Sequence, residues 1–284
     1  MLSFVCAIIN LTVLVPIPGV LQAMQDSKCA IIKSGESLPK RIPDYLLWLG
    51  DVEDFLNTLP NKPIFDLVVT SPPYNIRKPY EEPWALQDYL TWQKRIIEKT
   101  VGFVKPSGSI CWQVGNHVIK GRTTRGNFIL PLDIELHPIF QELGLKLRNR
   151  IIWTFGHGLH CKYRFSGRYE TIMWYTKSDE YVFNLDNVRI DPKYPGKKRY
   201  KGPRKGEYSC HPMGKNPEDV WEIPNVKSNH VEKTIHPCQF PVALIVSPTI
   251  NRAAGLLIPT TSLTVRLKLG PPLFSGWTFS PFTK

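Results

Sequence analysis

Apolar positions recur at two different spacings along this chain, and the alternation between them predicts an α/β architecture. Segments with strand spacing are Phe65–Val69, Ser109–Val114, 145–156 and 169–177, with a further short strand before Gly50-Asp51. Segments with helical spacing are 52–59, 85–104 and 131–144, the last of which is expected to end at Gly144. A sheet covered by helices is therefore expected over the first two thirds of the chain.

This alternation stops between Phe183 and Ser228, where proline, glycine, lysine and asparagine dominate. We expect a long, loop-rich insertion there, of the kind that contacts a partner. The first 25 residues carry no charge, but they have no basic segment before the apolar run, and Pro16 and Pro18 would break a spanning helix. We interpret them as an extension outside the functional fold, rather than as a signal peptide or a membrane anchor.

Charge concentrates in the middle of the chain. The net charge is +12, and the segment from Lys146 to Lys205 holds 15 basic and 5 acidic residues. A polyanion is the expected partner of such a segment, with a solvated loop as the alternative. The six cysteines are scattered without metal-ligand spacing, which indicates free thiols in a reducing, cytoplasmic compartment and no metal site.

The stretch FDLVVTSPPYN runs from Phe65 to Asn75 and carries the most specific chemical signal. An apolar strand meets two consecutive prolines, which fix φ near −65° and leave carbonyl acceptors without N–H donors. The Ser71 hydroxyl and the Pro72 carbonyl are placed to accept both hydrogens of one exocyclic amine, and Tyr74 to stack on its ring. A nucleobase reaches such a corner only when it is flipped out of the duplex. If an electrophilic methyl group is held in line with the amine, positioning the two groups accounts for most of the catalysis.

DLVVTSPPYN resembles the catalytic motif of the amino-group DNA methyltransferases, which methylate cytosine N4 or adenine N6 with S-adenosylmethionine. The similarity runs from Leu47 to Ile245 and includes VKPSGSICWQVGN, RFSGRYETIMWYTK and HPCQFPVALI. The resemblance implies a Rossmann-like S-adenosylmethionine-dependent sheet, with motifs in the permuted order of the beta class. It also implies double-stranded DNA as partner, a restriction-modification role, and no metal or membrane. Serine at position 71 favours cytosine N4, although both amines offer the same two donors and adenine N6 stays open.

The resemblance divides the chain into five parts: 1–42 extension, 43–182 catalytic region, 183–230 basic target-recognition insertion, 231–245 start of the cofactor side, and 246–284 divergent tail. The expected catalytic residues are Ser71, Pro72, Pro73 and Tyr74. The expected cofactor contacts are Thr70, Asp51, Lys233, His236, Pro237 and Phe240, with a helix N-cap as the alternative role of Asp51. The expected DNA contacts are Asn75, Arg164, Arg168, Lys197, Lys198, Arg199, Lys201, Arg204 and Lys205.

The expected glycine-rich cofactor motif is missing from the tail. After HPCQFPVALI there is no G-x-G, and Val246–Lys284 contains neither aspartate nor glutamate. Either unrelated residues contact the cofactor, or the reading frame shifts near Val246, which is the interpretation we favour. The C-terminal cofactor half is thus expected to be incomplete, and a catalytically dead DNA-binding remnant is the alternative to an active enzyme.

Overall fold

The computed structural model describes residues 29–39, 45–78, 84–158, 160–227, 229–233, 239, 241 and 243–244. The strands are β1 Cys29–Lys33, β2 Tyr45–Leu49, β3 Phe65–Thr70, β4 Val104–Val114, β5 Asn116–Ile119, β6 Phe128–Pro131, β7 Lys146–Thr154, β8 Tyr169–Thr176 and β9 Val220–Glu222. The helices are α1 Val52–Thr58, α2 Leu86–Phe103 and α3 Leu132–Glu142. These elements confirm the predicted α/β class.

The central sheet has the strand order β3-β4-β8-β7-β9. Strands β3 and β4 are parallel and are joined through α2, whereas β8 is antiparallel to both β4 and β7. Thr70 at the end of β3 lies opposite Trp112, and Val114 at the end of β4 lies opposite Thr171. The residues that follow β3, end β4 and begin β8 therefore meet at one edge of the sheet.

The hydrophobic core lies on the face of this sheet that the helices cover. Alternation along β4 sends Ile110 and Trp112 toward that face, where they join side chains from all three helices and from β2. Phe140 of α3 stacks on Tyr175 of β8 with 4.2 Å between ring centroids. The opposite face carries a smaller cluster of Cys111, Ile151, Trp153, Ile172 and Leu244. Burial raises the pKa of the Cys111 thiol to about 12, so this cysteine stays protonated at neutral pH.

Gly144 ends α3 as the sequence predicts. Its φ is +74°, a left-handed conformation that glycine adopts without penalty. The amide of Gly144 donates to the Gln141 carbonyl at 2.9 Å, and that of Leu145 donates to the Phe140 carbonyl at 3.0 Å. This pair of bonds is a Schellman motif, which satisfies the last carbonyls of the helix.

Three features differ from the sequence predictions. The turn expected before Ser109 is instead part of β4, which begins at Val104 and stays paired with β3 across a bulge. The bulge needs glycine at 108, where a Cβ would lie 3.0 Å from the Asp66 carbonyl oxygen. Part of the expected N-terminal extension, Cys29–Lys33, forms β1 and pairs in parallel with β2. The antiparallel pair β5–β6 was not predicted.

The 183–230 insertion also holds more order than its composition indicates. Ile190 and Lys215 form one antiparallel bridge, and Lys198 and Tyr208 form another. Between Lys197 and Ser209 the backbone folds into a narrow two-stranded ribbon, called the basic ribbon below. Its bonds include Arg199 N–H to the Glu207 carbonyl at 2.9 Å and Ser209 N–H to the Lys197 carbonyl at 2.7 Å.

Within the described ranges, no helix combines the length and the apolar character needed to cross a bilayer. The same ranges contain no group of three or more His, Cys, Asp or Glu side chains arranged to hold a metal ion.

Candidate functional site

The Ser71-Pro72-Pro73-Tyr74 segment, called the corner below, begins directly after β3. Ser71 is 3% exposed and Pro72 is buried, so the corner is part of the packed structure rather than a surface loop. The hydroxyl of Tyr89, on α2, donates to the Pro73 carbonyl at 2.9 Å and accepts from Gln93 Nε2 at 3.0 Å. Two prolines and an anchor from the buried face of α2 leave the corner little freedom to move.

Asn75 secures the other end of the corner. Its φ is +57°, in the left-handed region that asparagine tolerates better than most residues. The side-chain amide donates to the Trp84 carbonyl and accepts from the Trp84 N–H, both at 2.9 Å. Asn75 is 7% exposed, so the structure shows it holding the loop. A contact between Asn75 and DNA remains a prediction.

The Tyr74 hydroxyl joins the corner to β4 and β8. It donates to Glu170 Oε2 at 2.9 Å and lies 3.0 Å from Ser71 Oγ. Gln113 Nε2 donates to the same Glu170 oxygen. The Tyr74 ring packs on the backbone of Gly115, where an added Cβ would lie 3.0 Å from Cε2 of the ring. The ring is therefore fixed by hydrogen bonds at its tip and by close packing along its edge.

The direction of these hydrogen bonds follows from the donors available. Tyr74 has one hydroxyl proton, and the Glu170 oxygen that receives both Tyr74 and Gln113 is an acceptor. Since the Tyr74 proton points at Glu170, the bond between Ser71 and Tyr74 must use the Ser71 proton. The lone pairs of Ser71 Oγ then remain available to accept hydrogen bonds from another group.

A cavity of about 530 Å³ opens beside the corner. Its walls include Ser71, Pro72, Tyr74, Gln113, Trp153 and Glu170. This volume lies within the usual range of small-molecule sites and far exceeds that of one base. Tyr74 lines this cavity and also packs against the hydrophobic core, so it is only partly buried.

Two residues of the cavity wall carry buried amide oxygens without a hydrogen-bond partner among the described residues. These atoms are Gln113 Oε1 and Asn225 Oδ1. Because buried acceptors without partners are costly, they indicate a ligand with N–H donors. S-adenosylmethionine, which carries an ammonium and an aromatic amine, and an amine-bearing base both fit this requirement.

The described cofactor candidates occupy different places. Asp51 is the N-cap of α1 and accepts from Glu53 N–H at 2.7 Å, and burial raises the pKa of its carboxyl group above the usual value. Thr70 is fully buried at the end of β3, and Lys233 is half-buried in the short segment 229–233. None of these three lines the cavity. His236, Pro237, Phe240 and the tail from Val246 lie outside the described residues, so cofactor contacts remain predictions.

The DNA candidates other than Asn75 fall into two groups. Arg164 lies in the loop between β7 and β8 and lines the cavity. Arg168 lies at the base of that loop, where its carbonyl accepts from Phe155 N–H at 3.1 Å. The six basic-ribbon candidates are all exposed, namely Lys197, Lys198, Arg199, Lys201, Arg204 and Lys205. Lysine ammonium groups lie over exposed tyrosine rings along the ribbon, as with Lys198 over Tyr208 at 5.6 Å. Of the described residues that line the cavity, none belongs to the ribbon.

Sequence reasoning missed Gln113 and Gly115 and did not assign Glu170 to the corner. A polar Gln113 between apolar neighbours in β4 was a usable signal, because a strand residue of this kind needs a polar partner. Glu170 stands close in sequence to Arg164 and Arg168, and nothing in the local sequence indicates Tyr74 as its partner. Its contact with Tyr74 depends on the pairing of β4 with β8, which sequence spacing does not reveal.

The position of the Ser-Pro-Pro-Tyr corner, after a parallel strand and beside a cavity, agrees with the resemblance of the sequence to the amino-group methyltransferases. Residues 65–247 match the N6/N4 family model described as DNA methylase. The chain therefore belongs to the N6/N4 DNA methylase family.

Two relatives of this chain are named as type II methyltransferases. M.BglII of Bacillus subtilis is 48% identical over 217 residues, which cover 74% of this chain and 59% of that protein. M.ScaI of Streptomyces caespitosus is 33% identical over 259 residues, 85% of this chain and 80% of that protein. The chain thus spans less than two thirds of the length of M.BglII.

Among solved structures, the PvuII DNA methyltransferase (cytosine-N4-specific) superimposes with a TM-score of 0.51 at 20% identity, covering 69% of this chain and 66% of that one. At this identity the likeness supports a shared fold and nothing finer.

Proposed function

We propose that this chain transfers a methyl group from S-adenosylmethionine to the exocyclic amine of a base flipped out of double-stranded DNA, with cytosine N4 as the preferred target. The observation that carries the proposal is the rigid corner beside a cavity of about 530 Å³. Membership of the DNA methylase family supports the reaction class. Serine rather than aspartate at position 71 is what favours cytosine, and adenine N6 is the alternative.

The corner acts by holding the amine. Ser71 Oγ and the Pro72 carbonyl accept its two N–H groups, which draws the nitrogen toward sp3 geometry and frees its lone pair. Tyr74 stacks on the base and sets its plane. S-adenosylmethionine, when bound, supplies an electrophilic methyl group. Because the corner is already fixed by α2 and by Asn75, little reorganisation is required before transfer.

The proton released by the methylated amine has a route away from the corner. Ser71, Tyr74 and Glu170 form a continuous line of hydrogen bonds, with 3.0 Å and 2.9 Å separating the successive partners. The amine proton passes to Ser71 Oγ as the Ser71 proton moves to Tyr74 and the Tyr74 proton moves to Glu170. This line supports proton release after transfer, and no base is needed before it.

Tritium transfer from labelled S-adenosylmethionine to plasmid DNA tests the reaction. The proposal requires that residues other than a glycine-rich motif contact the cofactor, since the tail has no G-x-G. The wild-type chain is then expected to label DNA, and hydrolysis to nucleosides is expected to place the label on N4-methylcytosine. Label on N6-methyladenine would establish the alternative target. A chain that shifts DNA in a gel and transfers no label would contradict the proposal and identify a DNA-binding remnant.

The basic ribbon is proposed to contact the phosphates around the target sequence. The major groove is wide enough for a two-stranded ribbon of this kind, and six exposed cations extend along it. Each phosphate contact displaces condensed counterions, which makes the affinity depend on salt.

Replacing Lys198 and Arg199 with glutamine together is expected to weaken DNA binding at low salt. The slope of log K against log salt concentration should fall by about 2, since each lost phosphate contact contributes about 0.9. Fluorescence anisotropy across a salt series measures this. The matched control replaces Lys94 and Arg95, which pair with Glu142 and Glu53 on the helical face. An equal drop in slope for both double variants would contradict a specific role of the ribbon.

A further inference from the structure

Phe165 is 99% exposed, an unusual position for a large aromatic side chain. It belongs to the loop between β7 and β8, and residues on both sides of it, Arg164 and Gly167, line the cavity beside the corner. Phe165 therefore stands on the rim of the site where the flipped base is proposed to bind.

Local hydrogen bonds hold the loop that carries Phe165. Ser166 Oγ accepts from Cys161 N–H at 3.0 Å and so closes the turn. Arg164 Nη1 donates to the Phe165 carbonyl at 3.3 Å. At the base of the loop, Phe155 N–H donates to the Arg168 carbonyl at 3.1 Å. The Phe165 ring therefore projects from a turn that is held by hydrogen bonds, one of which is accepted by the Phe165 carbonyl.

The surroundings of Phe165 are cationic and aromatic. Lys162, Arg164 and Arg168 lie in the same loop, and Tyr163 is 52% exposed. Lys162 and Arg125 approach the Tyr163 ring at 5.5 Å and 5.9 Å. An exposed aromatic ring between cations suits a surface that meets stacked bases and phosphates rather than a protein or a bilayer.

We propose that Phe165 inserts into the DNA duplex and fills the space that the target base leaves when it turns into the cavity. This inference rests on the proposed function. Apolar side chains inserted between base pairs stabilise unstacked DNA, because their faces replace the lost stacking. The flipped base needs such compensation, since leaving the stack costs pairing and stacking energy. Val231 is 97% exposed and lacks an aromatic face, which makes it the matched control.

The test compares Phe165→Ala with Val231→Ala in binding to two duplexes that contain the sequence methylated by the wild-type chain. One duplex is fully paired, and the other carries a pyrene nucleoside opposite the target base, which occupies the space left by flipping. Phe165→Ala is expected to weaken binding to the paired duplex at least about tenfold. It should bind the pyrene duplex within about twofold of wild type, and Val231→Ala should match wild type on both.

If the wild-type chain methylates DNA, either of two binding results would overturn the proposal for Phe165. One is unchanged binding of Phe165→Ala to the paired duplex. The other is an equal loss on both duplexes, which would mark Phe165 as an ordinary surface contact. A wild-type chain that methylates no DNA would instead overturn the proposed function, and this inference with it.

Discussion

Replacing Tyr74 with alanine is expected to lower the rate of methyl transfer by at least about 100-fold. The substitution removes the ring proposed to stack on the base, a contribution of about 1–3 kcal/mol, and the partner that orients the Ser71 proton, about 1 kcal/mol. A sum near 3 kcal/mol corresponds to about two orders of magnitude in rate. Tyr74→Phe keeps the ring and loses only the hydroxyl, so its loss should stay near tenfold.

Single-turnover transfer of labelled methyl groups measures both rates, and thermal unfolding checks that the variants remain folded. Tyr181→Ala serves as the control, because this half-buried tyrosine follows β8 at the end away from the corner and does not line the cavity. Rates for Tyr74→Ala within about threefold of wild type would contradict the role of the ring. Equal losses for the alanine and phenylalanine variants would show that the hydroxyl, and not stacking, dominates.

Glu170→Ala is expected to lower the transfer rate by about 30-fold and to leave DNA affinity within about twofold. Glu170 is a positioning residue, since it holds the Tyr74 hydroxyl and Gln113 Nε2 from the start of β8. Without Glu170, two donors at the cavity wall lose their acceptor. Each donor that stays without a hydrogen bond costs about 1–3 kcal/mol of stabilisation. Water that enters the site offsets part of this cost, which is why the expected loss is smaller than that of Tyr74→Ala.

A double-mutant cycle separates this role from a general structural effect. In the Tyr74→Phe background, where the hydroxyl is already absent, Glu170→Ala should reduce the rate by only about threefold further. Rates are compared under the same single-turnover conditions. If the two substitutions lower the transfer rate independently, so that their free-energy effects add in full, Glu170 does not act through Tyr74. A large fall in DNA affinity for Glu170→Ala alone would place the residue in DNA binding instead.

The sequence predicted the elements whose causes are local. Two prolines after an apolar strand fix the backbone of the corner through their own φ angles, independently of the rest of the fold. Gly144 marks the end of α3 because the left-handed residue of a Schellman motif is usually glycine. The 18 residues of α2 show one largely apolar face, and five of its apolar side chains are buried in the structure together with Gln93 and Thr100.

The missed features depend on distant pairing or on weak local signals. Tyr74 and Glu170 are 96 positions apart, and only the register of β4 against β8 brings them together. Strands β5 and β6 have four residues each, too few for alternation to stand out from a loop. The basic ribbon is exposed throughout, so no buried face leaves a pattern in its sequence.

A crystal structure of the chain bound to a duplex with its methylation sequence tests the central claim most directly. We expect the target base outside the helix, with its exocyclic nitrogen within about 3.2 Å of both Ser71 Oγ and the Pro72 carbonyl oxygen. Its ring should lie parallel to that of Tyr74. A base that stays stacked in the duplex, or one that enters the cavity with its amine directed away from the corner, would contradict the account.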